Sequence, residues 1–421
     1  RTGDQLIAEF TQLTQAEAEA QGYVWVTTKS DLQTAINNNA KICLGADIDL
    51  TGSWAVTPEF SGELNGNGYT LSNLNNSLIY STTSNAIIKN LKIANVTITS
   101  TNSYTGALIG SENKGTIDNV TILSGNIITA GFTGSIAGSN SGLISNIANF
   151  ANISGHYGSN PIGGIVGWAK INSQILNAYN AGHINGEQSG CSAGGIVGQT
   201  SGTTTIENVY NDGSISGPMD NNANLGGIIG GTLSGTTLKI TNVCNYGHIY
   251  QSNASAGIIG YLHPSNLGTI SQAHNVGLAN AGIVGNGGAT DVQLIDVANY
   301  YNNTLANNFN GSITEASYSQ QEALNMLAGA DNTALSSSTT LAQMGFQDGS
   351  SLQLTVDGTT HTIEFASTDT LQKVIDTLQI YGVTTTVNGS GALTFNSIGK
   401  TFSLAGELGN YLAAGANTTT T

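Results

Sequence analysis

One five-residue string returns along most of this chain and limits what the chain can fold into. It reads GGIVG at Gly163 to Gly167 and at Gly194 to Gly198, GGIIG at Gly226 to Gly230, AGIIG at Ala256 to Gly260 and AGIVG at Ala281 to Gly285. Weaker copies stand at Thr105 to Gly110 and Thr133 to Gly138. The second position of each copy falls at 106, 134, 164, 195, 227, 257 and 282, so the spacings are 28, 30, 31, 32, 30 and 25. A second signature follows about half a repeat later, as in Gln174-Ile175-Leu176-Asn177-Ala178 and Thr205-Ile206-Glu207-Asn208-Val209. A third, Asn-x-Gly-x-Ile, begins at Asn180, Asn211 and Asn245. Self-similarity at a fixed period marks a solenoid.

Each signature is a short aliphatic, often β-branched run bounded by Gly, Asn or Ser, which is strand grammar. No long amphipathic helix fits between the signatures, so helical arrays are excluded. Three short strands and three turns in about 30 residues predict one coil of a parallel β-helix, unstable alone and stable when stacked on its neighbours. The general preference of parallel crossovers makes it right-handed. Stacking puts equivalent residues on top of one another. Asn177, Asn208 and Asn242 form one expected column; Asn180, Asn211, Asn245 and Asn275 form another. Side chains in such columns can hydrogen-bond as ladders. The glycines Gly164, Gly167, Gly195, Gly198, Gly227 and Gly230 are expected where a corner needs positive φ or close backbone approach.

These strings resemble the GLUG repeats of large bacterial surface and secreted exoproteins, including filamentous-haemagglutinin-like adhesins. The resemblance covers roughly residues 40–300. The strings Asp47-Ile48-Asp49-Leu50 and Gly62 to Leu71 resemble the entry segment that precedes such repeats. It implies a surface-displayed stalk with no chemistry common to the family.

Along the chain, four regions are expected. Residues 1–21 read as an N-terminal helix, a cap or spacer, with Thr2 and Gln5 as a capping box and Leu6, Phe10 and Leu13 at helical spacing. Residues 22–312 form the β-helix, with a short helix capped by Ser30 near its start. Residues 313–340 hold a helix opened by Ser319 and Glu322, then a linker. Residues 341–421 form a small α+β module of ββαββ order. In it Asp357-Gly358 signals a type I′ hairpin, and Asp369 with Gln372 caps a helix carrying Leu371, Val374, Ile375 and Leu378. The Thr370 to Leu378 pattern and the Gly382 to Phe395 hairpin resemble the IN motif of flagellins and hook-associated proteins, which implies a surface-exposed module.

Composition narrows the function. Net charge is −16 and Arg1 is the single arginine, so nucleic acid is not an expected partner. No apolar run of 18 or more residues predicts direct membrane insertion. The start at Arg1 reads as the edge of an excised or processed piece, so neighbouring domains of a longer polypeptide are expected partners. Cys43, Cys191 and Cys244 have neither disulfide-framework nor metal-site spacing and are expected as free buried thiols.

No catalytic, metal or cofactor site is predicted. Asp47 and Asp49 alternate on one strand as an acid or metal pair, or as an outward pair satisfied by turn amides. Asp118 and Glu207 share a repeat position about three coils apart, too far for a glycosidase pair. Gly190-Cys191-Ser192-Ala193-Gly194 matches G-x-S-x-G without the strand–turn–helix context that a nucleophile elbow requires. His183 and His248 share a slot with Ser214 between them, which rules out one shared metal. The aromatics Tyr104, Tyr157, Trp168, Tyr179, Tyr210 and Tyr246 remain, as a strip that binds glycan rings or one that finishes turns. The expectation is a non-catalytic adhesin-like display surface at the bacterial cell surface or outside it, for a cell-surface protein or glycan. The alternatives are a polysaccharide-active β-helix enzyme and a flagellar-type appendage component.

Overall fold

The computed structural model describes residues 10–155, 160–218, 222–250, 255–287, 291–299, 312–315, 337–338, 340–341, 349–387, 393–397, 401–405, 408–409, 412 and 416–419. They fall into two compact units that divide near Ala316.

The first unit is a right-handed parallel β-helix. Its coils carry four strands, not the three expected, because each GGIVG string is divided between two of them. In the coil that begins at Ser173 these are Ser173–Asn180, Ile184–Gly186, Ser192–Gly194 and Val197–Thr200. The Gly195-Ile196 pair between the last two turns the chain too sharply for one strand to continue. Four parallel sheets result, and the longest runs from Val24–Val26 to Ser312–Glu315.

Registry stacks identical side chains inward. Ile88, Ile117, Ile144, Ile175, Ile206, Ile240 and Ile270 form one column, continued by Leu294 and Ile313. Ile98, Ile127, Ile153, Ile184, Ile215 and Ile249 form a second on the next sheet. The corner residues Ile136, Ile165, Ile196, Ile228, Ile258 and Ile283 are fully buried as well. One aliphatic core therefore runs the length of the helix, and each coil covers the apolar face of the next.

The end of the helix is closed by Lys29–Asn37, whose Leu32, Ala35 and Ile36 join that core. Its N-cap is Thr28 rather than Ser30: the Thr28 hydroxyl accepts from the Asp31 amide at 3.2 Å. Thr28→Ala is expected to cost about 1 kcal/mol and Ser30→Ala only a few tenths, which a pair of urea melts would resolve. Equal losses would mean that the cap is not decisive here.

The first helix is also shorter than expected, Gln15–Ala20, and Thr14 with Glu17 makes its capping box. Asn67 explains why residues 10–14 do not join it. Its amide accepts from the Leu13 N–H at 2.7 Å and donates to the Leu13 carbonyl at 2.9 Å, which ties up both groups that a helix would need. Thr2 and Gln5 lie outside the described residues.

The second unit contains Ser350–Val356 and Thr359–Phe365 as an antiparallel hairpin. Asp357 and Gly358 take φ of 49° and 82°, the two left-handed residues of a type I′ turn. Helix Leu371–Ile380 follows, then the hairpin Thr384–Val387 with Leu393–Asn396. The helix is capped by Thr370. Asp369, the expected cap, accepts instead from the Ala366 amide and pairs with Lys373 at 2.7 Å. Two further strands extend the ββαββ order: Phe402–Ala405 pairs with the first hairpin, and Ala416–Thr419 runs parallel to Leu393–Asn396. The helix expected after Ser319 lies outside the described residues.

Candidate functional site

The repeat glycines shape a corner on the flank of the β-helix. None of Gly164, Gly195 and Gly227 has positive φ; they are glycines because their neighbours leave no room. A Cβ at Gly195 would collide with the Gly227 carbonyl and the Asn211 amide, and one at Gly227 would collide with the Gly257 carbonyl and the Asn245 amide. Gly164 stands in the same relation to Gly195 and Asn180. Those asparagines form a buried ladder. Nδ2-to-Oδ1 bonds of 2.7–2.9 Å run from Asn149 through Asn180, Asn211, Asn245 and Asn275 to Asn299.

Asn177, Asn208 and Asn242 form a different, half-buried ladder, with bonds of 3.1 and 2.6 Å. Their φ values of 52°, 55° and 53° mark a bend within the longest strand, a left-handed conformation that Asn tolerates best after Gly.

Gly167, Gly198 and Gly230 sit where the two strands of the GGIVG corner turn their outer faces toward each other. A Cβ on any of them would meet the backbone of the short strand in the preceding coil: Thr133 for Gly167, Ile162 for Gly198 and Ala193 for Gly230. The corner is thus re-entrant. One wall presents Tyr104 and Phe132, which are register partners. The other presents, in register, Glu112, Ser139, Trp168, Gln199, Gly231 and Tyr261.

Three rings fill the first coils of this corner. Tyr104 stacks on Phe132 with centroids 5.2 Å apart and planes 19° apart. Phe132 stacks on Trp168 at 5.1 Å and 23°. The Phe132 column has Pro161 in the next coil, just before Ile162, so the third ring is supplied from the opposite wall. The Trp168 indole N–H donates to the Ser201 hydroxyl at 2.9 Å. The Lys170 ammonium lies 5.3 Å from the Tyr104 centroid and 5.2 Å from the Trp168 centroid, and pairs with Glu112 at 3.5 Å. Burial, with Glu112 and Tyr80 nearby, raises the Tyr104 hydroxyl pKa and keeps it a neutral donor. All three rings are half-buried. Aromatic rings held rigidly, with polar and charged groups at their edges, suit ligands that have both an apolar face and hydroxyls.

Of the six aromatics singled out from the sequence, Tyr104 and Trp168 come together here, and Phe132, not anticipated, links them. Aligning the weak copies reveals it: Phe132-Thr133-Gly134 falls under Tyr104-Thr105-Gly106. Tyr179 and Tyr210 stack in a separate column, each only 3% exposed, with Cys244 and His274 continuing it. The Tyr179 hydroxyl donates to Asp212 at 2.7 Å and that of Tyr210 accepts from Asn242 at 3.2 Å, so both rings are built into the fold. Tyr246 stands in the Asn-x-Gly turn next to that column, where its side chain bonds the Cys244 thiol, and it does not join the three-ring stack. Tyr157 lies outside the described residues.

The other candidates are occupied with structure. The Asp49 carboxylate accepts from the Thr51 hydroxyl and amide and from Asn73, which lowers its pKa to about 2. Asp47 accepts from the Thr70 amide at 2.7 Å. Ser145 and Leu176 separate Asp118 from Glu207 in register. Ser192–Gly194 is a strand followed by the strand Val197–Thr200, so no nucleophile elbow forms at Ser192. His183 bonds Ser214 through Nδ1 and Ser216 through Nε2, and His248 accepts from the Leu278 amide. All three cysteines are buried thiols outside any disulfide. Among the described residues no three His, Cys, Asp or Glu gather as a metal site, and no helix is long and apolar enough to cross a membrane.

Residues 23–133 match the family described as "Putative pectate lyase-like adhesive domain". The match ends at Thr133 and includes Tyr104 and Phe132. Comparison with curated proteins finds no match. Among solved structures, an IgA1 protease aligns with a TM-score of 0.47 and 20% identity over 59% of this chain and 21% of its own. The present chain thus spans about a fifth of that protein. A proposed immunoglobulin A1 protease from Bacteroides ovatus aligns with a TM-score of 0.43 and 16% identity, over 80% of this chain and 94% of that one. At these identities and TM-scores neither likeness extends a protease activity to this chain.

Proposed function

We propose that this chain is a non-catalytic, adhesin-like β-helix displayed outside a bacterial cell, and that its re-entrant aromatic corner binds a glycan on a cell-surface partner. The stacked Tyr104–Phe132–Trp168 ladder carries the reading. Two of its rings come from the two-residue strands Tyr104–Thr105 and Phe132–Thr133. A contiguous half-exposed ladder beside an ion pair fits a contact surface. The adhesive-domain match over residues 23–133 supports the same reading from an independent direction. GLUG-type repeats over residues 100–300 and an IN-like module at the C-terminal end complete the proposal, with the β-helix as stalk and the corner as its contact face.

A glycan-array screen on residues 1–421, with product analysis of every bound glycan, tests this. Saturable binding with the glycan left intact is the expected result. Trp168→Ala should then weaken binding by about tenfold, since an aromatic stacking contact contributes roughly 1 kcal/mol beyond its buried area. Cleaved glycan would overturn the non-catalytic reading, and binding unaffected by Trp168→Ala or Phe132→Ala would remove the corner from it.

A further inference from the structure

The aromatic wall does not end at Trp168. In register along the same outer column, the next side chains are Gln199, none at Gly231, and then Tyr261. Gly231 leaves the wall low between two rings. A Cβ there would sit 3.1 Å from the Ser192 hydroxyl on the facing strand and 3.8 Å from the Tyr261 Cβ. Tyr261 is half-buried and held edge-on to His263, with centroids 6.2 Å apart and planes 84° apart. Trp168 and Tyr261 stand three coils apart. At about 4.8 Å per coil that is roughly 14 Å. The span between them carries the Gln199 amide and the Ser201 hydroxyl, both half-buried, as polar groups. Its nearest charges, Lys170 and Glu112, are paired with each other.

From this we infer that the corner is an elongated subsite for an uncharged oligosaccharide of about three or four pyranose units. The ligand lies along the helix axis above Gly231, with Trp168 contacting one end and Tyr261 the other. The inference rests on the glycan-binding reading above and adds length, direction and charge class to it. Pyranose units in a linear chain repeat at a length close to one coil, so successive units meet successive coils. A polyanionic chain is disfavoured because the protein itself carries −16 and offers no unpaired cation along the described part of this span. Gln199 and Ser201 suit hydroxyls, as donors and acceptors without charge.

The test is calorimetric titration of the full chain with linear β-1,4-linked glucose and xylose oligomers of one to six units. Affinity should rise on the order of tenfold between two and four units and level off beyond. Tyr261→Ala should abolish that rise, so that the four-unit oligomer binds no more tightly than the two-unit one. Trp168→Ala should weaken every length, and Gln199→Ala should weaken the trimer severalfold. If Tyr261→Ala matches the unmodified chain at every length while Trp168→Ala weakens binding, the extended subsite is wrong and the aromatic-corner reading stands. If acidic glycans bind on the array and these neutral oligomers do not, the charge class is wrong. If no glycan of any kind binds, both readings fall together.

Discussion

Asn211→Ala should unfold the middle of the β-helix at markedly lower denaturant, with a loss of roughly 3–6 kcal/mol. The side chain is fully buried. Its Oδ1 accepts from Asn180 at 2.8 Å, and its Nδ2 donates to the Gly213 carbonyl and to Asn245 Oδ1, both at 2.8 Å. Truncation leaves a donor on Asn180 and acceptors on Gly213 and Asn245 short of a partner. A buried polar group left unsatisfied costs about 1–3 kcal/mol. The site cannot relax by collapse, because Gly195 and Gly227 already hold neighbouring coils at backbone contact. In a solenoid each coil rests on its neighbours, so the damage should be local before it is global. Amide exchange should accelerate first around residues 180–245. Asn208→Ala gives the comparison. Asn208 is half-buried and stacks on Asn177 and Asn242, so its loss should cost about 1 kcal/mol for the bonds and roughly 1 kcal/mol more for forcing alanine into a left-handed φ, still below the loss at Asn211. Equal costs at Asn208 and Asn211 would mean that the buried ladder is not what holds the coils in register.

The period of the repeat made the β-helix legible, because a coil with one aliphatic face has few places to bury it. The asparagine columns were legible for the same reason: residues one period apart must stack. What the sequence did not convey was geometry within a period. GGIVG reads as one strand with a glycine at each end, yet the Gly195-Ile196 pair breaks it in two, and the re-entrant corner follows from that break. The Asn at the bend of the longest strand and the Asn of the buried ladder have the same residue type; only backbone conformation and burial tell them apart. Two helix starts differ from expectation by one or two residues, because Thr28, just upstream of Ser30, and Thr370, just downstream of Asp369, supply the caps instead. The start at Gln15 was displaced further, because Asn67, more than fifty residues away, captures the Leu13 backbone. The aromatic ladder was half legible. Tyr104 and Trp168 stood out as aromatics, whereas Phe132 required alignment of the weak copies. The burial of Tyr179 and Tyr210 depends on the bend beside them and has no local signal.

Acidification from pH 6.5 toward pH 4 should destabilise the β-helix through His274, by roughly 2–3 kcal/mol. His274 follows Tyr210 and Cys244 in their column and is 3% exposed. Burial dominates its titration and lowers the pKa to about 4, against a smaller opposing pull from the charge and backbone of Asp296 in the next coil. The unfolded chain binds the proton near pH 6.5. The folded form therefore favours the neutral ring. Its contribution is complete above pH 6.5 and is lost as pH falls toward 4, since the unfolded state then holds more protons than the folded one. Each pH unit across that window corresponds to about 1.4 kcal/mol. Asp49, held at about 2 by its bonds from Thr51 and Asn73, loses its contribution only as pH falls below the ordinary aspartate range. Denaturant melts at pH 7.0, 5.5 and 4.5 follow the loss of stability, and a substitution at His274 separates its share from that of carboxylates such as Glu63, where burial is outweighed by Lys89 and Tyr23 and the pKa is lowered. His274→Tyr repeats the residue found at positions 179 and 210 of the same column, so it should fit and should flatten the profile between pH 7.0 and 4.5. A variant whose stability falls as steeply as that of the unmodified chain would place the acid sensitivity elsewhere. A flat profile in both would mean that the coil opens locally around His274 and lets the ring protonate without unfolding its neighbours.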